Sequence, residues 1–272
     1  MRVLLLESEE LGSSLLKQKM FPINIDVKNK SYYVENMVLG PWLRWSLDEK
    51  SKLELALKLG FENYFNACEE YIKTISKFTN LLEEACEGGN IIIIDKLIKA
   101  GYQNWDLGLT GACRGGHMNI VNMIIEKGGR DWSSGLRGAC RGGHIEIAKL
   151  MLKKGAIHVL WALDSACKGK QLEMVKFLVD CYAEKSYVYS RCLIHACECG
   201  VISIVKWIVE KNKSIDRSCG LIQAYRFKNN DILIYLLRLE INPITAIENN
   251  NFAEEEEKIA IKLLWTQIKY QI

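Results

Sequence analysis

Apolar residues between positions 135 and 154 fall into two short runs, and each run has the spacing of one face of an α-helix. The first run, at i, i+3 and i+4, holds small side chains that allow close helix packing: Leu136, Ala139 and Cys140. The second run, at i, i+1, i+4 and i+5, consists of Ile147, Ala148, Met151 and Leu152. The pattern predicts a pair of helices, in which the stripe on the second helix faces the first.

This helix pair is one copy of a repeat. The segment 135–144 matches the segment 108–117, which lies 27 residues earlier, almost letter for letter. Six copies can be followed by their central alanine, at Ala85, Ala112, Ala139, Ala166, Ala196 and Ala224. A fixed period of this length is typical of a solenoid, in which each unit buries its apolar face only against its neighbours. The pattern therefore predicts an all-α solenoid with a period of about 27 residues.

The repeats divide the chain into four predicted parts. Six repeats occupy residues 81–242, and a poorer copy at 46–80 is interpreted as an N-terminal capping repeat. Residues 243–272 are predicted to form C-terminal capping helices. The small irregular segment 1–45 has two interpretations, a lid packed over the first repeat or a docking segment for a second partner.

A turn is predicted four residues after each repeat alanine, because a left-handed helix cap favours the glycine that dominates this position. The residues there are Gly60, Gly89, Gly116, Gly143, Lys170, Gly200, Lys228 and Asn250. The two lysines depart from the pattern, since a β-carbon is penalised at positive φ. Gly101, Gly128 and Gly155 are predicted to end the second helices, before a connector of about ten residues.

Composition and charge exclude some classes of protein without identifying a partner. The 272 residues are 49% hydrophobic and 25% charged, an ordinary globular balance, and the formal net charge is +3. A charge this small gives no argument for nucleic acid or an anionic membrane as partner. The apolar run in residues 1–6 is too short for an export signal, and no stretch has the length of a transmembrane helix. We therefore expect a cytoplasmic chain that makes no contact with a membrane.

Five of the ten cysteines occupy one repeat position, directly after the alanine. They are Cys86, Cys113, Cys140, Cys167 and Cys197. This position predicts burial in the core. Packed helices lie about 8–10 Å apart, whereas a disulfide needs Cα atoms within about 7 Å, so equivalent cysteines of successive repeats should stay reduced. A reducing compartment fits this pattern best.

The unit 135–156 resembles the ankyrin repeat, whose pattern T-P-L-H-x-A-A-x-x-G-H is followed by an amphipathic helix and a Gly-Ala ending. The matching residues are Leu136, Ala139, Cys140, Gly143, His144, Gly155 and Ala156. The Thr-Pro is absent, and the period is 27 rather than about 33, so the resemblance implies an ankyrin-like solenoid with shortened β-hairpin fingers. The Gly-Ala-Cys-x-Gly-Gly-His units are similar in style to divergent ankyrin proteins of giant DNA viruses, which would place the chain in a host-cell cytoplasm or nucleus.

The resemblance implies a non-enzymatic, monomeric scaffold that binds a partner protein. In the family, contacts come from the loop before the first helix and from the positions after the second alanine, on the concave face. Here those positions hold Arg114, Arg141 and Lys168, and the preceding loops hold Trp105, Asp106, Trp132 and Ser133, with Trp161 nearby. Because Trp and Arg dominate interface energetics, these eight residues are the predicted partner-binding residues, and an acidic or amphipathic peptide would suit them.

Other interpretations of the same residues stay open. The tryptophans could fill the space left by the missing hairpins, the cations could be solvated surface, or guanidinium groups could stack on indoles within the array. A different function would be RNA or anion binding, with the cations on phosphates and the tryptophans stacked on bases. Nucleic acid is the less favoured partner.

The histidines and the remaining thiols give no catalytic or metal site. His117 and His144 occupy the Gly-His corner, where the resemblance implies an imidazole that braces the turn. His195, Cys197 and Cys199 are close in sequence, but zinc sites usually combine two pairs of ligands, each with a spacing of two to four residues. Motifs for nucleotide binding, zinc proteases and serine nucleophiles are absent. We predict no enzyme, no metal and no cofactor.

Overall fold

The computed structural model describes part of the chain: residues 80–182, 187–239, 247–248, 250 and 253–270. Within these residues the secondary structure is helical, without a strand. The predictions for the segment 1–45 and, apart from Asn80, for the capping repeat 46–80 lie outside the described residues.

Six helix pairs follow one another along the described residues, and each consists of an inner helix and then an outer helix. The pairs are α1 (Leu81–Gly88) with α2 (Ile91–Lys99), α3 (Trp105–Gly115) with α4 (Met118–Lys127), α5 (Trp132–Gly142) with α6 (Ile145–Lys153), α7 (Val159–Lys168) with α8 (Leu172–Tyr182), α9 (Tyr187–Glu198) with α10 (Ile202–Lys211), and α11 (Ser218–Arg226) with α12 (Asn230–Leu239). A last helix, α13 (Glu255–Tyr270), packs against α11 and α12. The predicted all-α, ankyrin-like solenoid is confirmed over these residues.

The core is a ribbon between the two rows of helices. The residues at these three positions are buried in the first five repeats, as in α5: Leu136, Ala139 and Cys140. In the sixth repeat Leu221 and Ala224 are buried and Tyr225 is half-buried. On α6 the facing residues Ile147, Ala148 and Met151 are buried, whereas Leu152 at the edge of the stripe is half-buried. Each pair thus buries its apolar faces against itself and its two neighbours, as a solenoid requires.

Neighbouring inner helices approach each other backbone to backbone in the first three repeats. A methyl group built on Gly111 of α3 would overlap the carbonyl oxygen of Glu83 in α1, and one on Gly138 of α5 would overlap that of Thr110 in α3. The outer helices make far fewer contacts with one another. Because the inner row is packed more tightly than the outer row, the array curves with its inner helices on the concave side.

The connectors between repeats are shorter than predicted, because each inner helix begins one turn earlier. The Asn104 side chain accepts a hydrogen bond from the Leu107 N–H at 3.3 Å, and Asp131 accepts one from the Ser134 N–H at 2.9 Å. These side chains satisfy amide groups that a helix start leaves free, so α3 and α5 begin directly after them. The α4–α5 connector is therefore 128–131, and the placement of Trp105, Asp106, Trp132 and Ser133 in loops was wrong: they lie in first helical turns.

The imidazoles of the Gly-His corners brace the turn, and they do so by bonding to the preceding repeat. His117 Nε2 donates to the Glu87 carbonyl oxygen at 3.0 Å, and His144 Nε2 donates to that of Arg114 at 3.1 Å. Asn229 takes the same role further along, with a bond of 2.7 Å to a carbonyl oxygen of α9. This contact links the C-terminal ends of α1, α3 and α9 to the repeat that follows each of them.

The five predicted core thiols are buried and free. Burial raises the pKa of Cys86, Cys113 and Cys140 to about 12. The closest sulfur atoms we identify are Cys167 Sγ and Cys192 Sγ, whose separation of 3.8 Å is far beyond the length of a disulfide bond. These thiols act as small apolar groups in the core.

Lys170 and Lys228 occupy the turn position that glycine holds elsewhere, and they adopt the same left-handed conformation. Their φ angles are 60° and 57°, compared with 84° for Gly143. The turn is therefore imposed by the helix pair, and the lysines adopt it at a cost in backbone strain.

We expect the Lys170→Gly substitution to raise the free energy of unfolding by about 1 kcal/mol, because it removes the β-carbon from a left-handed position. The Lys170 side chain is exposed, so little packing is lost. Urea denaturation followed by circular dichroism measures the change. A matched Lys153→Gly variant, at the right-handed last residue of α6, should instead be destabilised by up to about 1 kcal/mol. Equal effects of the two substitutions would contradict the assignment.

We expect Gly111→Ala to lower the free energy of unfolding by about 1–3 kcal/mol, since the new methyl group meets the α1 backbone. Gly108 of the same helix is the control: a methyl group there comes no closer than 3.4 Å to a neighbouring atom. Gly108→Ala should therefore be neutral or stabilising by up to about 1 kcal/mol. The same denaturation experiment compares the two. If Gly111→Ala is as well tolerated as Gly108→Ala, the close approach is absent in solution.

Candidate functional site on the concave face

One position, two residues after the repeat alanine, recurs along the inner helices. We call its residues the ladder: Glu87, Arg114, Arg141, Lys168, Glu198 and Arg226. The ladder contains three of the predicted partner-binding residues, and its members differ in what they contact.

Four ladder residues are engaged within the protein. Arg114 forms ion pairs with Glu83 and with Glu87, the latter at 2.9 Å. At the C-terminal end, both oxygens of the Glu257 carboxylate accept from Arg226, at 2.6 and 2.9 Å. Glu198 Oε2 lies 3.1 Å from His195 Nδ1 of its own helix. Arg114 thus holds α3 to α1, and Arg226 holds α11 to α13.

The two ladder residues in the middle of the array, Arg141 and Lys168, are exposed and form no ion pair within the described part of the chain. Arg137, one turn before Arg141, is also exposed and donates a hydrogen bond of 2.9 Å to Ser134 Oγ. On α3 the positions equivalent to Arg137 and Arg141 hold Thr110 and Arg114, so neither supplies a carboxylate that could pair with the cations of α5. The centre of the concave face therefore has an excess of positive charge on α5 and α7.

A polar network between α7 and α9 borders these cations, and the sequence reasoning missed it. Asp164 Oδ1 lies 3.0 Å from His195 Nε2, and Asp164 Oδ2 accepts from Arg191 at 2.9 Å. Burial alone would raise the pKa of the Asp164 carboxyl, but hydrogen bonds from His195 and Arg191 and their charges bring it below its ordinary value. The available signal was His195 itself, which replaces the glycine of α3 and α5 and so lies between two inner helices.

Trp105 and Trp132 are half-buried and pack against the core. Lys127 lies 5.8 Å from the centre of the Trp105 ring, and Arg130 and Lys154 lie 5.7 and 5.8 Å from that of Trp132. These are cation–π distances. The arrangement matches the structural alternative in which cations of the array itself stack on the indoles.

Asp106 and Ser133 occupy one repeat position and have one role. Asp106 Oδ1 accepts from the backbone N–H groups of Arg130 and Asp131, at 2.6 and 2.9 Å, and Ser133 Oγ accepts from that of Ile157 at 3.2 Å. Each side chain therefore ties the start of one inner helix to the loop that enters the next repeat. We call this contact the clamp. It links neighbouring repeats where the ankyrin pattern would have β-hairpins.

Trp161 differs from the other two tryptophans because 52% of its surface is exposed. It lines an open cleft of about 350 Å³ at the N-terminal ends of α5 and α7, together with Asp131, Ser133, Ser134, Arg137 and His158. The His158 ring stacks on the indole with 4.5 Å between centroids, and the Arg137 guanidinium lies 5.9 Å from it. The cleft can hold an apolar side chain beside a positive charge.

Nowhere in the described ranges do three His, Cys, Asp or Glu side chains gather so that they could hold a metal ion. Among the helices described, none combines the length and the apolar composition needed to cross a bilayer.

Comparison with known proteins gives a distant structural similarity. No protein-family model matches the sequence, and no curated protein matches it. Of the solved structures, 48 chains match. One is the crystal structure of the human ASB11 ankyrin repeat domain, with a TM-score of 0.44 and 20% sequence identity, over 66% of this chain and 96% of that chain. A similarity at this level assigns no partner.

We expect Asp164→Asn to lower the free energy of unfolding at pH 7 by about 1–3 kcal/mol, because it weakens charge-assisted bonds of a buried group. The pKa of Asp164 is lowered by folding, so its contribution is fully present above about pH 4 and is lost as the pH falls through the folded pKa. The difference between wild type and variant should therefore shrink below pH 4. Denaturation at a series of pH values measures it, with exposed Asp95→Asn as control. A difference that stays constant with pH would contradict this assignment.

Proposed function

We propose that the chain is a non-enzymatic scaffold that binds a partner protein on its concave face, at α5 and α7. One observation carries the proposal: Arg141 and Lys168 are exposed and form no ion pair within the described residues, in an array whose other ladder residues are engaged. Solenoids use extended concave surfaces of this kind for binding. Exposed arginine and tryptophan side chains are also the residues that contribute most to interfaces.

Among the eight predicted residues, we assign direct partner contacts to Arg141, Lys168 and Trp161. Arg137 joins them because it lines the Trp161 cleft and lies one helical turn before Arg141. The other five predicted residues have internal contacts, and we propose that they shape the surface: Arg114, Trp105, Asp106, Trp132 and Ser133. The sequence resemblance to viral ankyrin proteins leads us to propose a host protein as the partner and a monomeric chain as the binding form.

A protein partner is favoured over RNA by the state of the tryptophans. Binding of single-stranded RNA would use aromatic rings stacked on successive bases. Trp105 and Trp132 pack against the core with cations of the array beside them, which leaves Trp161 as the exposed ring of the three. One exposed indole beside a cleft suits an apolar anchor of a protein better than a series of bases.

We expect the Arg141→Glu/Lys168→Glu variant to bind a partner segment about ten-fold or more weakly than wild type, because two attractive contacts become repulsive. Ligands are selected from a displayed random peptide library on the wild-type protein, and their affinities are measured by calorimetry. Trp161→Ala should weaken ligands that use the cleft by about thirty-fold.

The matched control is Lys99→Glu/Lys153→Glu, which makes the same change of charge at exposed positions of outer helices. It should leave the affinity unchanged at moderate salt. If both double variants weaken binding equally, net charge and not the concave face is responsible. If neither does, the partner binds elsewhere and the proposal fails.

A further inference from the structure

We further propose that Cys167 of α7 and Cys192 of α9 form an oxidation site, at which hydrogen peroxide converts the two thiols to a disulfide between adjacent inner helices. The proposal is independent of partner binding on the concave face. Three observations support it: the short distance between the two sulfur atoms, a recurring placement of core thiols toward the next inner helix, and a cysteine at the facing position of α9.

The two sulfur atoms are already in contact. Cys167 Sγ and Cys192 Sγ lie 3.8 Å apart, and both side chains are fully buried. In a disulfide the sulfur atoms are about 2.05 Å apart, so these two need to approach each other by about 1.8 Å. A change of this size is within the range of rotation of the two side chains about their Cα–Cβ bonds.

The placement of the core thiols recurs in other repeats. A methyl group built on Gly135 of α5 would lie 3.4 Å from Cys113 Sγ, and one on Gly220 of α11 would lie 3.2 Å from Cys197 Sγ. Each glycine directly precedes its repeat leucine, and each sulfur belongs to the preceding repeat. In a disulfide, the β-carbon of one cysteine lies about 3 Å from the sulfur of the other. The repeat thus directs its core thiol toward this position at nearly the distance that a disulfide requires.

On α9 the facing position holds a cysteine, Cys192. The equivalent residues of the other inner helices are leucine, glycine or alanine: Leu81, Gly108, Gly135, Ala162 and Gly220. The separation of packed helices argues against disulfides between equivalent cysteines of successive repeats. It does not apply to Cys167 and Cys192, because they occupy different positions on their helices and their sulfur atoms meet between α7 and α9.

The reaction consumes one molecule of hydrogen peroxide. The sulfur of one cysteine attacks the peroxide, the O–O bond breaks, and a sulfenic acid and one molecule of water form. The sulfur of the other cysteine then attacks the sulfenic sulfur, so that the S–S bond forms, the S–O bond breaks and a second molecule of water leaves. Two electrons pass from the sulfur atoms to the peroxide, and both thiol protons end in water.

Oxidation at this site requires the α7–α9 contact to open transiently. A hydrogen bond with the Cys167 sulfur and burial raise the pKa of Cys192, and the thiolate is the reactive form of a cysteine. The pair should therefore react more slowly than Cys181, which is exposed. Once formed, the bond holds the fourth and fifth repeats together and restricts further opening between them.

The test treats the reduced full-length chain with hydrogen peroxide, blocks the remaining thiols, and maps the tryptic peptides by mass spectrometry. We expect peptide 155–168, which contains Cys167, to be linked to peptide 192–206. The second peptide also contains Cys197 and Cys199, so fragmentation of the linked pair identifies the sulfur that is joined. Dithiothreitol should release the two peptides.

The melting temperature shows whether the bond fits the folded array. Oxidation should raise it by roughly 5–10 °C, because the bond closes a loop between residues 25 positions apart. Cys192→Ala should abolish both the linked peptides and the rise. Cys181→Ala is the matched control: it removes an exposed cysteine of the adjacent outer helix and should leave both unchanged.

Three outcomes overturn the inference. If Cys167 stays reduced while Cys181 is fully oxidised, the pair is not open to the oxidant. If Cys167 is joined to Cys197 or Cys199, the facing position is not the one that reacts. If the linked protein melts at or below the temperature of the reduced protein, the bond forms only after the α7–α9 contact has rearranged. None of these results bears on the proposed function, which depends on other residues.

Discussion

The approach of one inner helix to the backbone of the next is the constraint on which the rest of the structure depends. It requires glycine at Gly111 and Gly138 and small side chains around them, so the inner row is closer together than the outer row. Curvature follows directly, because two rows of unequal spacing cannot remain parallel. The same close spacing brings ladder residues of adjacent repeats within reach of one another, as Glu87 and Arg114 show. Whether the charge of a ladder residue is neutralised therefore depends on the ladder residues of the adjacent inner helices.

The packing changes along the array. The position of Gly138 in α5 is occupied by Ser165 in α7 and by His195 in α9. Because these residues have side chains, the neighbouring inner helix must leave room for them. His195 fills this space and meets Asp164, so the contact between α7 and α9 is made by polar side chains in place of backbone proximity. At this position the contacts α1–α3 and α3–α5 are made by close backbone approach, whereas the α7–α9 contact is made by polar side chains. The α5–α7 surface lies between these two arrangements.

Much of the fold could be predicted from the sequence because a repeat displays the same local pattern several times. The helix pairs and the buried thiols follow from the pattern of a single repeat, whereas the bracing role of His117 and His144 follows from the resemblance to the ankyrin repeat. The first helical turn could not be predicted in this way, since tryptophan and serine are weak helix formers and the decisive signal was one capping residue, Asp131. The contacts of Arg114 and Asp164 were also out of reach, because their partners lie about one repeat away and depend on the separation of the helices. The assignment of partner contacts remains a prediction.

The clamp has a consequence for how such an array can change. Asp106 belongs to the helix pair of α3, but its hydrogen bonds are made in the loop that precedes α5. Ser133 has the same relation to the loop before α7. A helix pair that is duplicated or deleted as a block therefore separates each acceptor from the amide groups it serves, unless the incoming neighbour offers an equivalent loop. A segment that runs from Asp106 to Asp131 keeps its clamp intact, and this segment is displaced by part of a repeat from the helix pair.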